Sequence, residues 1–318
     1  MRFVQQALAA LLAAASCIAA AQPFPSRPVK IVVPFAPGGN LDITARLIGE
    51  SMSKTLGQPF VVENRAGAGG AVGQEVVARS APDGYTLVAA TTGTTIVSPL
   101  MIPSPPYSLG DFAPIGIMAV TPLILEVPAA SPYPDFKSYL AAVRANPGKV
   151  TIGHSGNGTT NHIAILELQE ALKVQLNVVP YKGSGPALVD LVGGQIDSMM
   201  DQTSSSLPQV RAGKLRALAV GTPQRLADLP EVPTLQEEGV KDFEASTPSA
   251  LLAPAKTPAE VVRILNDALD KALAEPAVRA KLKQLGSEVR VTTPEQLGAF
   301  MREEEKKLGA LHARGVLK

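Results

Sequence analysis

Residues 34–49 read PFAPGGNLDITARLIG. The apolar run VKIVVPF (29–35) ends at Phe35, and a proline and two glycines turn the chain. A helical pattern with Ile43, Leu47, Ile48 and Met52 follows. Strand, glycine turn and helix in this order set the unpaired N–H groups of a helix start beside a strand end, where an anion can be held. The order recurs. YTLVAAT (85–91), GKVTIGH (148–154), QLNVVPY (175–181), QIDSMMD (195–201) and KLRALAV (214–220) alternate with stretches of period near 3.6, such as Ile163, Leu166, Leu168 and Leu172. Apolar strands between helices predict an α/β fold with largely parallel sheets.

Two long extended stretches, Ala113–Val127 and Phe243–Pro254, read as crossings between lobes. They divide the chain into lobe one at 22–121 plus 246–318 and lobe two at 122–245. The last quarter is helical. Thr257-Pro258-Ala259-Glu260 and Thr293-Pro294-Glu295-Gln296 both have the form of a capping box, and Gly286 marks a stop between them. Val261, Ile264, Leu265 and Ala268 line the expected inner face of the first of these helices.

The 318 residues are 46% hydrophobic with a net charge of +1, which suits one or two cored domains and gives no basic field for nucleic acid. Met1-Arg2, then ALAALLAAASCIAAA (7–21), have the form of an export signal cleaved near Ala21. Cys17, the one cysteine, lies within it. Ala15-Ser16-Cys17 faintly resembles a lipoprotein box, with Ala14 where a leucine is usual.

The loops after the strands are PGGN (37–40), TTGTT (91–95), HSGNGTTNH (154–162), YKGSGP (181–186) and DQTSSS (201–206). All are small and polar, and ligands bind beyond the carboxyl ends of strands in open α/β sheets. The candidate ligand-binding residues are Phe35, Gly38, Gly39, Asn40, Asp42, Thr92, Thr94, Ser155, Asn157, Gly158, Thr159, His162, Lys182 and Asp201. Formal positive charge is scarce there, which favours a carboxylate held by neutral donors over a phosphate. Plainer readings stand beside these. Gly38 and Gly39 also suit a tight turn, Asp42 the dipole of its own helix, His162 a packed helix start and Lys182 the solvated surface. Asp201 either faces the cleft or braces a loop.

The pattern of an enzyme is missing. No G-x-S-x-G elbow, Walker loop or G-x-G-x-x-G occurs, and three histidines at 154, 162 and 312 have no metal-ligand spacing. The neighbours His154 and Ser155 lack an evident third group to orient the base. No cofactor or metal is expected.

In order along the chain come PSRPVKIVVPFAPGGNLD, GQPFVVENRAGAGGAVG, APDGYTLVAA, GNGTTNH, VPYKGSGPALVDLVGGQID, GKLRALAV, LPEVPTLQEEG and LLAPAKTP. The run from about Pro25 to Val316 resembles the Bug-type receptors of tripartite tricarboxylate transporters. The resemblance implies a two-lobed periplasmic binding protein (type II-like) with a hinge and a ligand cleft between the lobes. It implies a small organic acid held by the first strand–helix loop at Phe35, Gly38, Gly39 and Asp42, and by Ser155, Gly158, Thr159 and His162 opposite. It implies delivery to membrane permease subunits by a non-enzymatic monomer in the periplasm. Two departures fall on the pocket wall. EASTPSALLAP has no aromatic in the second crossing, and TTGTT replaces a richer Ser/Asn/His loop. A sensor subunit, or a secreted hydrolase using His154 and Ser155, are the rival readings.

Overall fold

The computed structural model describes residues 24–315 and Leu317. The expected export signal at 1–21, with Cys17 and the expected Ala21 junction, lies outside the described residues. In chain order the elements are β1 (Val29–Val33), α1 (Asn40–Leu56), β2 (Phe60–Asn64), α2 (Ala71–Ala78), β3 (Thr86–Ala90), β4 (Phe112–Pro128), α3 (Phe136–Ala145), β5 (Thr151–His154), α4 (Thr160–Leu172), β6 (Asn177–Pro180), α5 (Ser184–Val192), β7 (Ser198–Gln202), α6 (Thr203–Arg211), β8 (Leu215–Val220), β9 (Ser246–Pro254), α7 (Ala259–Ala274), α8 (Pro276–Gln284) and α9 (Pro294–Ala313). A π-helical turn, Gly93–Val97, follows β3.

The strands run in the order β2-β1-β3-β9-β4-β7-β5-β6, with β8 on β4. β1, β2 and β3 are parallel, as are β5, β6 and β7. The 17-residue β4 joins the two groups. Its first part, Phe112–Pro122, pairs antiparallel with β9, and from Leu123 onward it pairs with β7 and β8. The change of partner falls at Pro122, which has no N–H to give a ladder, and Pro114 sits at a bulge for the same reason.

Each half has its own core. One is built on Ile31, Ile48, Met52, Leu87, Leu265 and Leu269, the other on Leu125, Phe136, Tyr139, Ile152, Leu168 and Met200. Several local expectations shift. β2 was not foreseen as a strand; it is a five-residue edge strand after Pro59. The buried face of α1 is Leu41, Ala45, Ile48 and Met52, with Ile43 and Leu47 half-exposed. That of α7 is Val262, Leu265, Ala268 and Leu269. The box at Thr257 does not form: Pro258 takes the cap position, and the Thr257 hydroxyl is buried without a partner. The box at Thr293 forms, with Gln296 N–H donating to Thr293 Oγ1 at 3.3 Å and Thr293 N–H to Gln296 Oε1 at 3.0 Å. Gly286 follows α8 at φ +69°.

Phe136 is 1% exposed in the second core. Phe136→Ala is expected to cost about 3–5 kcal/mol, measured as a lower urea midpoint with little change in slope.

Candidate functional site

The loop after β1 is shaped by one carboxylate. Gly38 has φ +88°, a conformation open to glycine, and its N–H donates to Asp42 Oδ2 at 3.1 Å. Arg46 Nε donates to both Asp42 oxygens at 3.1 Å, and Asn64 Nδ2 to Oδ1 at 2.9 Å. Burial pushes the Asp42 carboxyl up, but these donors together outweigh it and hold the group below the usual aspartate range. Gly39 then caps α1 with extended backbone and no side-chain bond, so the first N–H groups of α1 point from the loop uncapped.

Three helix starts of the other half face it. Thr159 caps α4, accepting from His162 N–H at 3.4 Å. α5 and α6 begin after Gly183 and Gln202 with no side-chain cap. Between these ends lies a cavity of about 20 Å³. Phe35, Ala36, Gly39, Asn40, Asp42 and Thr91 line it from one half; Ser155, Thr159, Thr160, Asn161, Ser184 and Gln202 line it from the other. No Lys, Arg or His is among these lining residues.

The halves touch across this cavity. Ala36 N–H donates to the Lys182 carbonyl at 2.9 Å. Ser204 Oγ donates to Asn40 Oδ1 at 2.7 Å, and Asn40 Nδ2 to Ser249 Oγ on β9 at 3.0 Å. Gln202 Nε2 donates to Thr247 Oγ1 at 3.0 Å. Gly185 faces the Pro37 carbonyl so closely that a Cβ there would lie 2.1 Å from its oxygen.

Of the residues expected at a site, Phe35, Gly39, Asn40, Asp42, Ser155 and Thr159 reach the cavity wall, and Gly38 lies beside it against Gly185. The rest lie elsewhere. Thr94 is bonded to Thr91 and to Gln74 Nε2. Thr92 lines a different groove of about 660 Å³ on the far side of β4 and β9. Asn157 and Lys182 are exposed and line a third hollow of about 390 Å³ with Ser98 and Met101. Gly158 packs on Ser98 and donates its N–H to His162 Nδ1 at 3.2 Å. His162 stacks on His154 with ring centroids 4.6 Å apart. Burial, helped by His162, pushes His154 down to about 3, and burial lowers His162. Asp201 is fully buried behind the wall. Ser155 Oγ donates to Asn161 Oδ1 at 3.0 Å, and His154 Nδ1 is engaged by Gly156.

Asn161, Ser184 and Gln202 were not singled out from the sequence. Their signal was available: each sits at the first turn or cap of a helix following a strand end. Asn161 also pairs its amide with that of Gln202, at 2.9 and 3.2 Å. No cluster of His, Cys, Asp and Glu suited to a metal occurs among the described residues.

The pattern of the tripartite tricarboxylate transporter family receptors matches residues 44–315. The chain belongs to this family. BugD, a periplasmic binding protein, is similar to this receptor at 38% identity and a TM-score of 0.89, over 93% of this chain and 99% of BugD. MatC from Rhodopseudomonas palustris, solved with bound malate, is similar at 35% identity and a TM-score of 0.86, over 93% and 100%. Another R. palustris protein, solved with adipate, is similar at 32% and 0.87, over 91% and 97%. The receptor therefore has the α/β fold of these periplasmic binding proteins.

Asp42→Asn tests the loop. A carboxyl held below its unfolded pKa stabilises the fold above that unfolded value and loses the contribution as pH falls through the folded one. The variant is expected to be less stable by about 1–2 kcal/mol at neutral pH. The gap should close in urea titrations carried to below the ordinary aspartate range.

Proposed function

We propose that this receptor captures a small organic carboxylate in the periplasm by closing its two halves over it, and presents it without chemical change to membrane permease subunits. The observation that carries this reading is the convergence of uncapped starts of α1, α5 and α6 on one small space with no side-chain cation. Unpaired N–H groups and dipole ends favour a carboxylate there. Relatives solved with malate and with adipate support the ligand class. The pairing of Ser155 with Asn161 rather than with a histidine supports binding without catalysis.

A cavity of about 20 Å³ holds about one water. An organic acid therefore enters when the halves separate. The lobes we propose are 22–121 plus 246–318 and 122–245, hinged where β4 changes partner at Pro122. We take the receptor to act as a monomer, exported by cleavage near Ala21. The ligand-binding residues we assign are those on the cavity wall, with Gly38 and Asp42 shaping the loop.

Gly185 separates closure from folding. It lies in the first turn of α5, where an alanine suits the helix, yet a Cβ would meet the Pro37 oxygen at 2.1 Å in the closed arrangement. Gly185→Ala is expected to keep its melting temperature and to bind malate or adipate at least tenfold more weakly by calorimetry. The wild type should gain about 2.7 kcal/mol at a hundredfold the Kd of its acid. Undiminished affinity in Gly185→Ala would sink the closing mechanism.

A further inference from the structure

Glu126 lies on the part of β4 that pairs with β7 and is 0% exposed. Ser206 Oγ contacts its Oε1 at 2.6 Å, while Oε2 is buried with no partner among the described residues. The same serine reaches Asp201 Oδ2 at 3.1 Å. Asp201, also 0% exposed, is otherwise surrounded by donors: Ser184 Oγ at 2.5 Å, Ser205 Oγ at 2.6 Å and Asn161 Nδ2 at 3.0 Å.

A hydroxyl has one hydrogen, so Ser206 cannot donate to both acids. If it donates to Asp201, its lone pair faces Glu126, and the short contact there needs a hydrogen from the Glu126 carboxyl. Asp201 is then an anion with four donors, and no acid is left charged without them. The opposite placement leaves Glu126 a buried anion with one donor and one bare oxygen, which is the costlier arrangement.

We propose that Glu126 is held as the neutral acid and, through Ser206, keeps Asp201 as the buried anion that positions the starts of α4, α5 and α6. Glu126 is thus a positioning residue for the cleft, and this part rests on the functional reading above. Asn161 and Ser184 both bond to Asp201 and both line the cavity. Burial, and then the neighbouring Asp201, push the Glu126 carboxyl well above the usual range. Burial pushes Asp201 up too, against the pull of its hydroxyl donors.

The charged groups on the packed elements leave the pair alone. On β8, Arg216 gives its guanidinium to the carbonyls of Ala129 and Tyr133. On α6, Arg211 binds the Gln284 carbonyl and Asp228. On α5, Asp190 accepts from Tyr181. Asp201 on β7 is the titratable group that faces Glu126.

Infrared spectroscopy in heavy water tests the proton directly. The wild type at neutral pH is expected to show the C=O stretch of a protonated carboxyl that is lost in Glu126→Gln and kept in Asp201→Asn. Its absence from the wild type, or its loss in Asp201→Asn alone, would overturn the proposal, and the wild-type spectrum decides even where a variant fails to fold. Stability gives a second reading. The folded chain keeps a proton that the unfolded chain releases, so the wild type loses stability as pH rises above the ordinary glutamate range. Glu126→Gln lacks this slope, and its melting temperature should gain on the wild type with rising pH; parallel pH curves would count against the proposal. Calorimetry with malate and adipate reads the cleft: affinity that weakens in the wild type at alkaline pH should stay level in Glu126→Gln. A wild type that binds neither acid would tell against the functional reading, while the infrared band still decides where the proton sits.

Discussion

The antiparallel pairing of β4 with β9 is the constraint on which the cleft depends. Side chains alternate across such a ribbon. Thr247 and Ser249 face the cavity side, where they hold Gln202 and Asn40. Val120, Pro122, Ser246 and Pro248 face the groove on the other side. A one-residue slip of β9 would turn Ser246 and Pro248 toward the cavity side. It would displace the Thr247 and Ser249 hydroxyls that orient two amides of the cavity wall. The bulges at Pro114–Gly116 and Ile117–Ala119 belong to the same problem. They let a long strand bend and twist while still pairing on both sides of its change of partner.

Charge in the cleft is arranged by keeping it out of the wall. Asp42 reaches the cavity, yet its oxygens are turned to Gly38, Arg46 and Asn64. Asp201 stands one layer back, enclosed by serines and an amide. The polar groups that remain toward the cavity are N–H, hydroxyl and amide, beside the apolar Phe35, Ala36 and Leu41. Such donors suit a carboxylate without the desolvation of a buried lysine or arginine. They also discriminate by geometry, since each is fixed by a strand end or a helix start.

The alternation of strands with helices was legible because it is written in local runs of Val, Ile and Leu. The turn at 34–42 was legible because a proline and two glycines between an apolar run and a helical pattern mark a strand-to-helix turn. What escaped is long-range. The bond from Ser204 to Asn40 spans 164 positions, and that from Ser206 to Glu126 spans 80. No local pattern marks Asn161 or Gln202 as partners, and Glu126 reads as a lapse in an apolar strand. Thr94 stands off the cavity for the opposite reason: its hydroxyl finds partners within its own loop and in Gln74. The change in the buried faces of α1 and α7 reflects how a helix is rolled by what it packs on, which periodicity alone leaves open.

The halves are held together by few direct bonds. Ala36 to Lys182, Ser204 to Asn40 and Gln202 to Thr247 are polar ones beside the cavity, and Ile163 packs with Ile96, Val97 and Leu308 in a small apolar cluster nearby. A hydrogen bond is worth about 0.5–1.5 kcal/mol net, and water satisfies the same groups when the halves part. Closure is then worth little by itself, while the glycine-lined seam demands close backbone approach before any of these contacts form. A ligand that bonds to both sides adds its differential affinity to that small balance, and differential affinity is all that can shift it. An acid held by α1 alone would bind either arrangement equally and leave the equilibrium unmoved. Under the closing mechanism we propose, one that also reaches the starts of α5 and α6 favours the closed form, and the spacing between these helix starts then selects among acids.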